Sequence, residues 1–309
     1  MFPLISYILP AICSLIAVGW YTLVERKVLG YIMTRKGPNK VGYMGLMQPV
    51  SDGVKLFTKE VVVPMYSAKW PFILCPIVSF FIALLGWFLY PFSSVEMLFA
   101  CGVVYFMVVA GMSMYSIVVA GWASNSKYAL LGAVRGVAQS VSYEVVMALI
   151  LLSVVYCVGV LDVHGVKMWQ GSFGMWGWVW LAELVPFLGV WVIIMLAESN
   201  RAPFDFVEGE SELVSGYNVE YSGVSFGLLY MTEYASMMLN SLLSACLFIG
   251  SNDIVMSLIG LSFMFMYIWV RGTYPRYRYD LFMMFMWKCC LPVVLVVLLF
   301  ELQVLYIMV

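Results

Sequence analysis

The chain has a single histidine, His164, and its seven cysteines (Cys13, Cys75, Cys101, Cys157, Cys246, Cys289 and Cys290) lie in apolar stretches without a CxxC pair. Iron–sulfur and haem centres need sets of Cys, His or Met at workable spacing, and no such set is present. GxGxxG and P-loop patterns are missing as well, so no dinucleotide or phosphate cradle is expected. The expectation is therefore a chain with no metal site and no redox centre; if it serves a redox reaction, the electrons travel on another polypeptide. Charge is scarce too. Only 11% of the 309 residues are charged against 64% hydrophobic, a balance that no soluble domain of this size hides in one core. The formal net charge of -1 says little about partners, because the placement of charges matters more than their sum.

What is abundant is apolar length. Uncharged runs cover residues 1 to 24, 70 to 95, 97 to 126 and 254 to 270, and about 20 apolar residues in a helix cross the hydrocarbon. Allowing one acid each adds spans at roughly 136 to 161 (Glu144), 176 to 197 (Glu183), 222 to 248 (Glu233) and 289 to 309 (Glu301). Continuous runs without strict alternation favour helices over a barrel. The expected fold is all-α: a polytopic membrane protein with about eight transmembrane helices in a single domain over residues 1–309. Its inner-side loops are expected at 25–69, 127–135, 198–221 and 271–288.

Basic residues orient it. Fifteen of the sixteen Lys and Arg fall in these alternate connections and only Lys167 lies opposite, so the positive-inside rule places both termini outside. The apolar N-terminus, with no basic leader and no small-residue cleavage site, is expected to be a first span. Together with a C-terminus at the end of the last span, this favours the mitochondrial inner membrane, with a bacterial plasma membrane as the alternative.

Within the first inner loop, Gly37-Pro38-Asn39 breaks any helix continuing from span one. Met47, Val50, Val54, Phe57 and Val61 then recur at steps of three and four, with Asp52, Lys55, Lys59 and Glu60 off that stripe. The pattern predicts an amphipathic helix at the membrane face or against other helices.

Embedded acids come next. Glu144 is eight residues into its span, about 12 Å deep, and Glu233 twelve residues in, about 18 Å deep, at 1.5 Å per residue. An ionised carboxylate there costs at least ~2.5 kcal/mol, so such groups face a bundle interior or a hydrated cavity; the plainer alternative is an acid that only ties helices together. Glu183 and Glu301, nearer the ends of their spans, are free to snorkel or face polar neighbours.

Between spans five and six runs AESNRAPFDFVEGESELVSGYNVEY, with Glu198, Asp205, Glu208, Glu210 and Glu212 around a single cation, Arg201. The spacing at 208, 210 and 212 matches no helical face, so these acids converge only if Pro203, Gly209 and Gly216 fold the backbone back. A solvated loop is the bland alternative. Against it stand Phe204, Phe206, Val207 and Leu213, interleaved with the acids. Clustered carboxylates drawn out of water repel one another and hold protons more tightly, which suits proton uptake near neutral pH.

This stretch, together with ERKVLGYIMTRKGPNKVGYMGLMQPVSDGVKLFTKE, GAVRGVAQSVSYEV and RGTYPRYRYD, closely resembles the chain 1 family of proton-pumping NADH:ubiquinone oxidoreductase, respiratory complex I. The resemblance runs from the first span to the last; Ser199, where Thr is common, and Leu281, where Gln is usual, are small departures. It implies a core subunit joining the membrane arm to the peripheral arm, with ubiquinone as a substrate in a chamber shared with other subunits. Partners would be the peripheral-arm quinone-site subunits, small membrane-arm subunits and lipid, with no nucleic acid. By motif, Arg26, Arg35, Phe206, Arg271, Arg276 and Arg278 would line or brace the chamber. Glu198, Asp205, Glu208, Glu210 and Glu212 would form an acidic funnel, and Glu144 and Glu233 would begin a charged path into the membrane arm. Two other classes share buried acids: a stand-alone secondary transporter, against which no internal repeat or matched broken helix pair is found, and the corresponding subunit of an ion-pumping hydrogenase.

Overall fold

Backbone groups in hydrocarbon must bond within their own segment, and long apolar runs meet that demand as helices. The computed structural model describes residues 2–91, 100–172, 177–207, 209, 216–248 and 252–308, with helices and connections and no strand among them. α1 is Phe2–Ile32, α2 Gln48–Thr58, α3 Lys69–Gly86, α4 Gly102–Ala123, α5 Lys127–Val158, α6 Val163–Ser172, α7 Gly177–Glu198, α8 Val224–Phe248 and α9 Asp253–Thr273. The last helix starts as α10, Tyr279–Phe285, passes through a π-helical turn at Met286–Cys290 and continues as α11, Leu291–Met308.

The chain is an all-helical, multi-pass membrane protein. Five described helical stretches are long and apolar enough to cross a bilayer: Lys69–Leu89, Gly102–Ala123, Lys127–Val158, Asp253–Thr273 and Tyr279–Val304. The other expected spans coincide with α1, α7 and α8, which do not meet that criterion over their described residues, so the count of eight is not reached on length and composition. For α8 there is a physical reason. It packs against α1, α2, α3, α6, α7 and α9 and buries Tyr234, Asn240, Ser241 and Ser244, so its neighbours are protein side chains and it has no need of an apolar surface.

Several boundaries move. Glu25, Arg26 and Lys27, expected in the first loop, belong to α1, which runs on to Ile32 before the chain turns. Residues 127–135, expected as a connection, are the first turns of α5, capped by the Ser126 hydroxyl accepting from the Ala129 amide at 3.3 Å. Of the two expectations for Glu301, snorkelling to the surface does not hold, since it is only 2% exposed, and facing neighbours inside the bundle is left standing. The amphipathic helix forms as α2, but Met47, Val50, Val54 and Phe57 are all exposed. It leans on the bundle by its other side, where Asp52 meets Arg26 and Leu56 sits over Gly227. At the opposite end of the molecule, buried Lys167 of α6 pairs with Asp253 at the start of α9 and donates to the Pro91 carbonyl at 3.3 Å.

Candidate functional site

The segment after α7 is held inside the protein. Gln139 of α5, fully buried, donates from Nε2 to the carbonyls of Ala197 at 2.8 Å and Phe204 at 3.1 Å. From the other side the Tyr277 amide donates to the Pro203 carbonyl at 2.9 Å. Phe204 packs on Tyr277 and Phe282, and Phe206 on Tyr279 and Phe282. Gly132 is where the chain needs the smallest residue: a β-carbon there would stand 3.1 Å from the Gly216 α-carbon and 3.2 Å from the Val207 carbonyl oxygen. The result is a connection with Arg201, Phe204, Phe206 and Val207 all buried, unlike a freely solvated loop.

Arg201 sits at the centre of a polar network. Its guanidinium lies 4.5 Å from the ring centroid of Tyr234 and 5.3 Å from that of Tyr230, and 3.8 Å from a Glu233 carboxylate oxygen. Stacking on aromatic faces suits arginine, whose flat cation is weakly hydrated. The Tyr217 hydroxyl donates to Glu233 at 3.0 Å. The Tyr234 hydroxyl donates to Glu25 of α1, lies 3.0 Å from the Tyr230 hydroxyl, and Glu25 in turn pairs with Arg271 at the end of α9. Burial by itself lowers the Arg201 pKa, yet Tyr234, Glu233, Tyr230 and Glu25 around it raise it above the ordinary arginine value, so this cation stays charged. Tyr221, in the same connection, is pushed above the usual tyrosine range by burial, with Cys75 adding to the shift.

On the far side of Glu233 lies a cavity of about 90 Å³, walled by α3, α4, α8 and the end of α7. Glu198, Asn200, Tyr217, Thr232, Glu233 and Asn240 face it. A cavity needs only about 10–15 Å³ of this measure per water, so there is room for several. Glu144 of α5 is close enough to Glu198 for their charges to interact, and Asn240 stands beside Glu198. Tyr143, fully buried, feels both acids.

The sequence-selected residues therefore separate into groups. Glu198 and Glu233 line the cavity, and Glu144, which is not in its wall, lies close enough to Glu198 for their charges to interact. Asp205 and Arg276 form a second group nearer the surface, with Arg276 donating to Asp205 at 2.9 Å, while Phe206 is buried against Tyr279 and Phe282. Arg271 belongs to the buried network. Arg26 pairs with Asp52 at 2.6 Å and Arg278 with Asp280 at 3.0 Å, both pairs at the surface, and Arg35 is exposed just past α1. Glu208, Glu210 and Glu212 lie outside the described residues. Glu25, Tyr217 and Tyr234 were missed, and Arg201 was noticed without being placed in the site. A signal existed for two of them: Glu25 is an acid at the edge of an apolar run, and Arg201 is the single cation among five acids. Among the described residues no three His, Cys, Asp or Glu side chains are grouped to hold a metal ion.

Fold and site together define a helical membrane protein with a paired charge network and a polar cavity inside the bundle. A family described as NADH dehydrogenase matches residues 5–302. Proteins named NADH-ubiquinone oxidoreductase chain 1 are similar over nearly the whole chain. The one from Mytilus edulis is 49% identical, covering 93% of each sequence. That from Heterololigo bleekeri is 47% identical over 99% of this chain and 98% of its own, and that from Anopheles gambiae 48% over 94% and 91%. The chain belongs to this NADH dehydrogenase family and, within it, to the chain 1 subunits of NADH-ubiquinone oxidoreductase.

Proposed function

We propose that this chain is the membrane subunit through which NADH:ubiquinone oxidoreductase couples quinone reduction to proton movement. It walls part of the ubiquinone chamber with Arg26, Arg35, Phe206, Arg271, Arg276 and Arg278, in contact with quinone-site subunits of the peripheral arm. It passes the event inward through Glu198, Asp205, Glu208, Glu210 and Glu212 to Glu144 and Glu233, and so to adjacent small membrane-arm subunits. The residues that hold quinone and relay protons carry no redox centre in this reading; ubiquinone is a substrate. Eight spans with both termini outside, in the mitochondrial inner membrane, complete the proposal, and the animal origin of the relatives named above supports that location.

The observation that carries it is the buried connection after α7. Within a few residues it has Asp205 paired with Arg276 near the surface, Phe206 buried next to it, Arg201 against Glu233 in the interior, and Glu198 on the polar cavity. These charges sit a few residues apart on one buried segment, where low-dielectric surroundings strengthen each pairwise interaction, which supports coupling between its two ends. The transporter and hydrogenase alternatives have no such support, since the relatives named above carry the oxidoreductase name.

The test is Glu198→Gln and Glu144→Gln in the assembled complex, with Glu233 left intact because it faces buried Arg201. Each keeps the shape, removes the titrating group and is less costly to bury. Ubiquinone-linked turnover should fall severalfold or more, because a lost acceptor on a coupled path slows the whole cycle. NADH oxidation by a hydrophilic acceptor should be spared. Wild-type turnover and proton-to-electron ratio in both variants would overturn the coupling role.

A further inference from the structure

On the outer surface of the bundle, α3 and α4 leave an apolar groove of about 450 Å³ whose walls include Trp70, Leu74, Val78 and Ile82 of α3 and Met112 and Val119 of α4. Its volume is within the range of about 300–1,000 Å³ typical of ligand pockets. From Trp70 to Ile82 is twelve residues along α3, or about 18 Å of helix, close to the roughly 15 Å depth of one leaflet's hydrocarbon, half of the whole core. The groove is therefore one acyl chain long.

Its open end is dressed as a membrane interface. Tyr66, Trp70, Trp122 and Tyr128 are all well exposed there, the aromatic girdle expected at headgroup level. The same end is fixed by two bonds that bring the start of α3 to the end of α4: the Ala68 amide donates to the Ala123 carbonyl at 3.0 Å, and Asn125 Nδ2 to the Tyr66 carbonyl at 3.1 Å. Lys69 begins α3, and Lys127 begins α5 just after the end of α4, at this same level; both are exposed, and neither forms an ion pair among the described residues. Two exposed ammonium groups over an apolar slot of leaflet depth are complementary to an anionic headgroup above an acyl chain.

We propose that the α3–α4 groove is a resident site for an anionic phospholipid, with one acyl chain along Trp70–Ile82 and the phosphate between Lys69 and Lys127. Ile82 and Ser116 line both this groove and the polar cavity that holds Glu198 and Glu233. The acyl chain thus backs the thin wall between that cavity and the bilayer, and its chemistry is independent of the coupling role of the acids.

The experiment reconstitutes the assembled complex in phosphatidylcholine nanodiscs containing a trace of phosphatidylglycerol or phosphatidylcholine with a photoreactive diazirine in one acyl chain, and maps the adducts by mass spectrometry. Adducts at Leu74, Val78 and Met112 should be severalfold more abundant with the anionic probe. Lys69→Gln with Lys127→Gln should bring its yield down to that of the zwitterionic probe. Val78→Trp should remove groove adducts while sparing those elsewhere on the complex; should that variant fail to assemble, the surface lysine pair still decides. Equal yields from the two probes, unchanged by the lysine substitutions, mean bulk lipid only and overturn the site. Groove carbons that take no lipid probe, and instead cross-link to another subunit, would put a protein helix there and also overturn it.

Discussion

Ion pairs occur both inside this bundle and on its surface, and they differ in kind. Arg26–Asp52 and Arg278–Asp280 are single contacts between side chains that water reaches, with Arg278 75% and Asp280 60% exposed. Inside, Glu25, Arg271, Arg201 and Glu233 are joined through the hydroxyls and rings of Tyr217, Tyr230 and Tyr234, and the side chains of Arg201, Glu233 and Glu25 are only 7%, 12% and 8% exposed. A surface pair competes with water and is worth about 0–1 kcal/mol. A buried charge that loses its partner has no water to turn to, and breaking such a pair costs roughly 3–5 kcal/mol. The lesson is that the same residue types, counted equally on a sequence, carry unequal consequences.

The largest effect is expected at Arg201. Arg201→Met removes the cation facing Glu233 and the stack on Tyr230 and Tyr234, and should destabilise the subunit by about 3–5 kcal/mol, read as loss of assembled complex on native gels. Arg201→Lys restores charge without the flat stacking surface and should recover only part. Adding Glu233→Gln to Arg201→Met should also recover part, because no unpaired anion is left. Wild-type assembly of Arg201→Met would abolish the distinction between interior and surface pairs.

A smaller loss is expected from Glu25→Gln. The amide keeps the volume and still accepts from Tyr234, but no longer neutralises Arg271, whose side chain is 38% exposed and so partly hydrated. A hydrogen bond to a charged group is worth about 1.5–3 kcal/mol, so thermal stability should drop measurably while the complex still assembles. A melting curve indistinguishable from wild type would show that Glu25 and Arg271 behave as a surface pair.

The smallest effects belong to the outside. Arg278→Gln and Arg26→Gln should each change stability by less than about 1 kcal/mol. Raising ionic strength from 0.1 to 1 M shortens the screening length from about 10 to about 3 Å, so the difference between each variant and wild type should shrink further in high salt. Unfolding curves at the two salt concentrations check this, and a salt-insensitive loss above 2 kcal/mol at either residue would move it into the structural class.

The sequence by itself determined the class of protein and much of its local structure. Long uncharged runs specify helices in lipid because no other open structure satisfies the backbone there. The three-and-four spacing of Met47, Val50, Val54, Phe57 and Val61 specified α2, because a helical face is a local property, although the helix Gln48–Thr58 ends three residues short of Val61. Acids within apolar runs marked Glu144 and Glu233 as interior groups, and the aromatic residues among the acids of the α7–α8 connection marked it as packed. The four quoted motifs carried the family.

Tertiary structure decided which charges meet. Arg271 reaches Glu25 across 246 positions and Tyr234 reaches it across 209, and no periodicity reports a contact made by the crossing of α1, α8 and α9. The end of α1 at Ile32 was likewise hidden, because Glu25, Arg26 and Lys27 look like the start of a loop when counted as charges. Only the packing of neighbouring helices supplies Glu25 with a cation and a phenol, and so lets a charged turn continue inside the protein. The central place of α8 was equally illegible: its serines, asparagine and tyrosines weaken its apolar signal, and the surrounding helices make those groups an interior. Burial in a membrane protein is a relation between helices, and one helix's sequence states only what its own faces are made of.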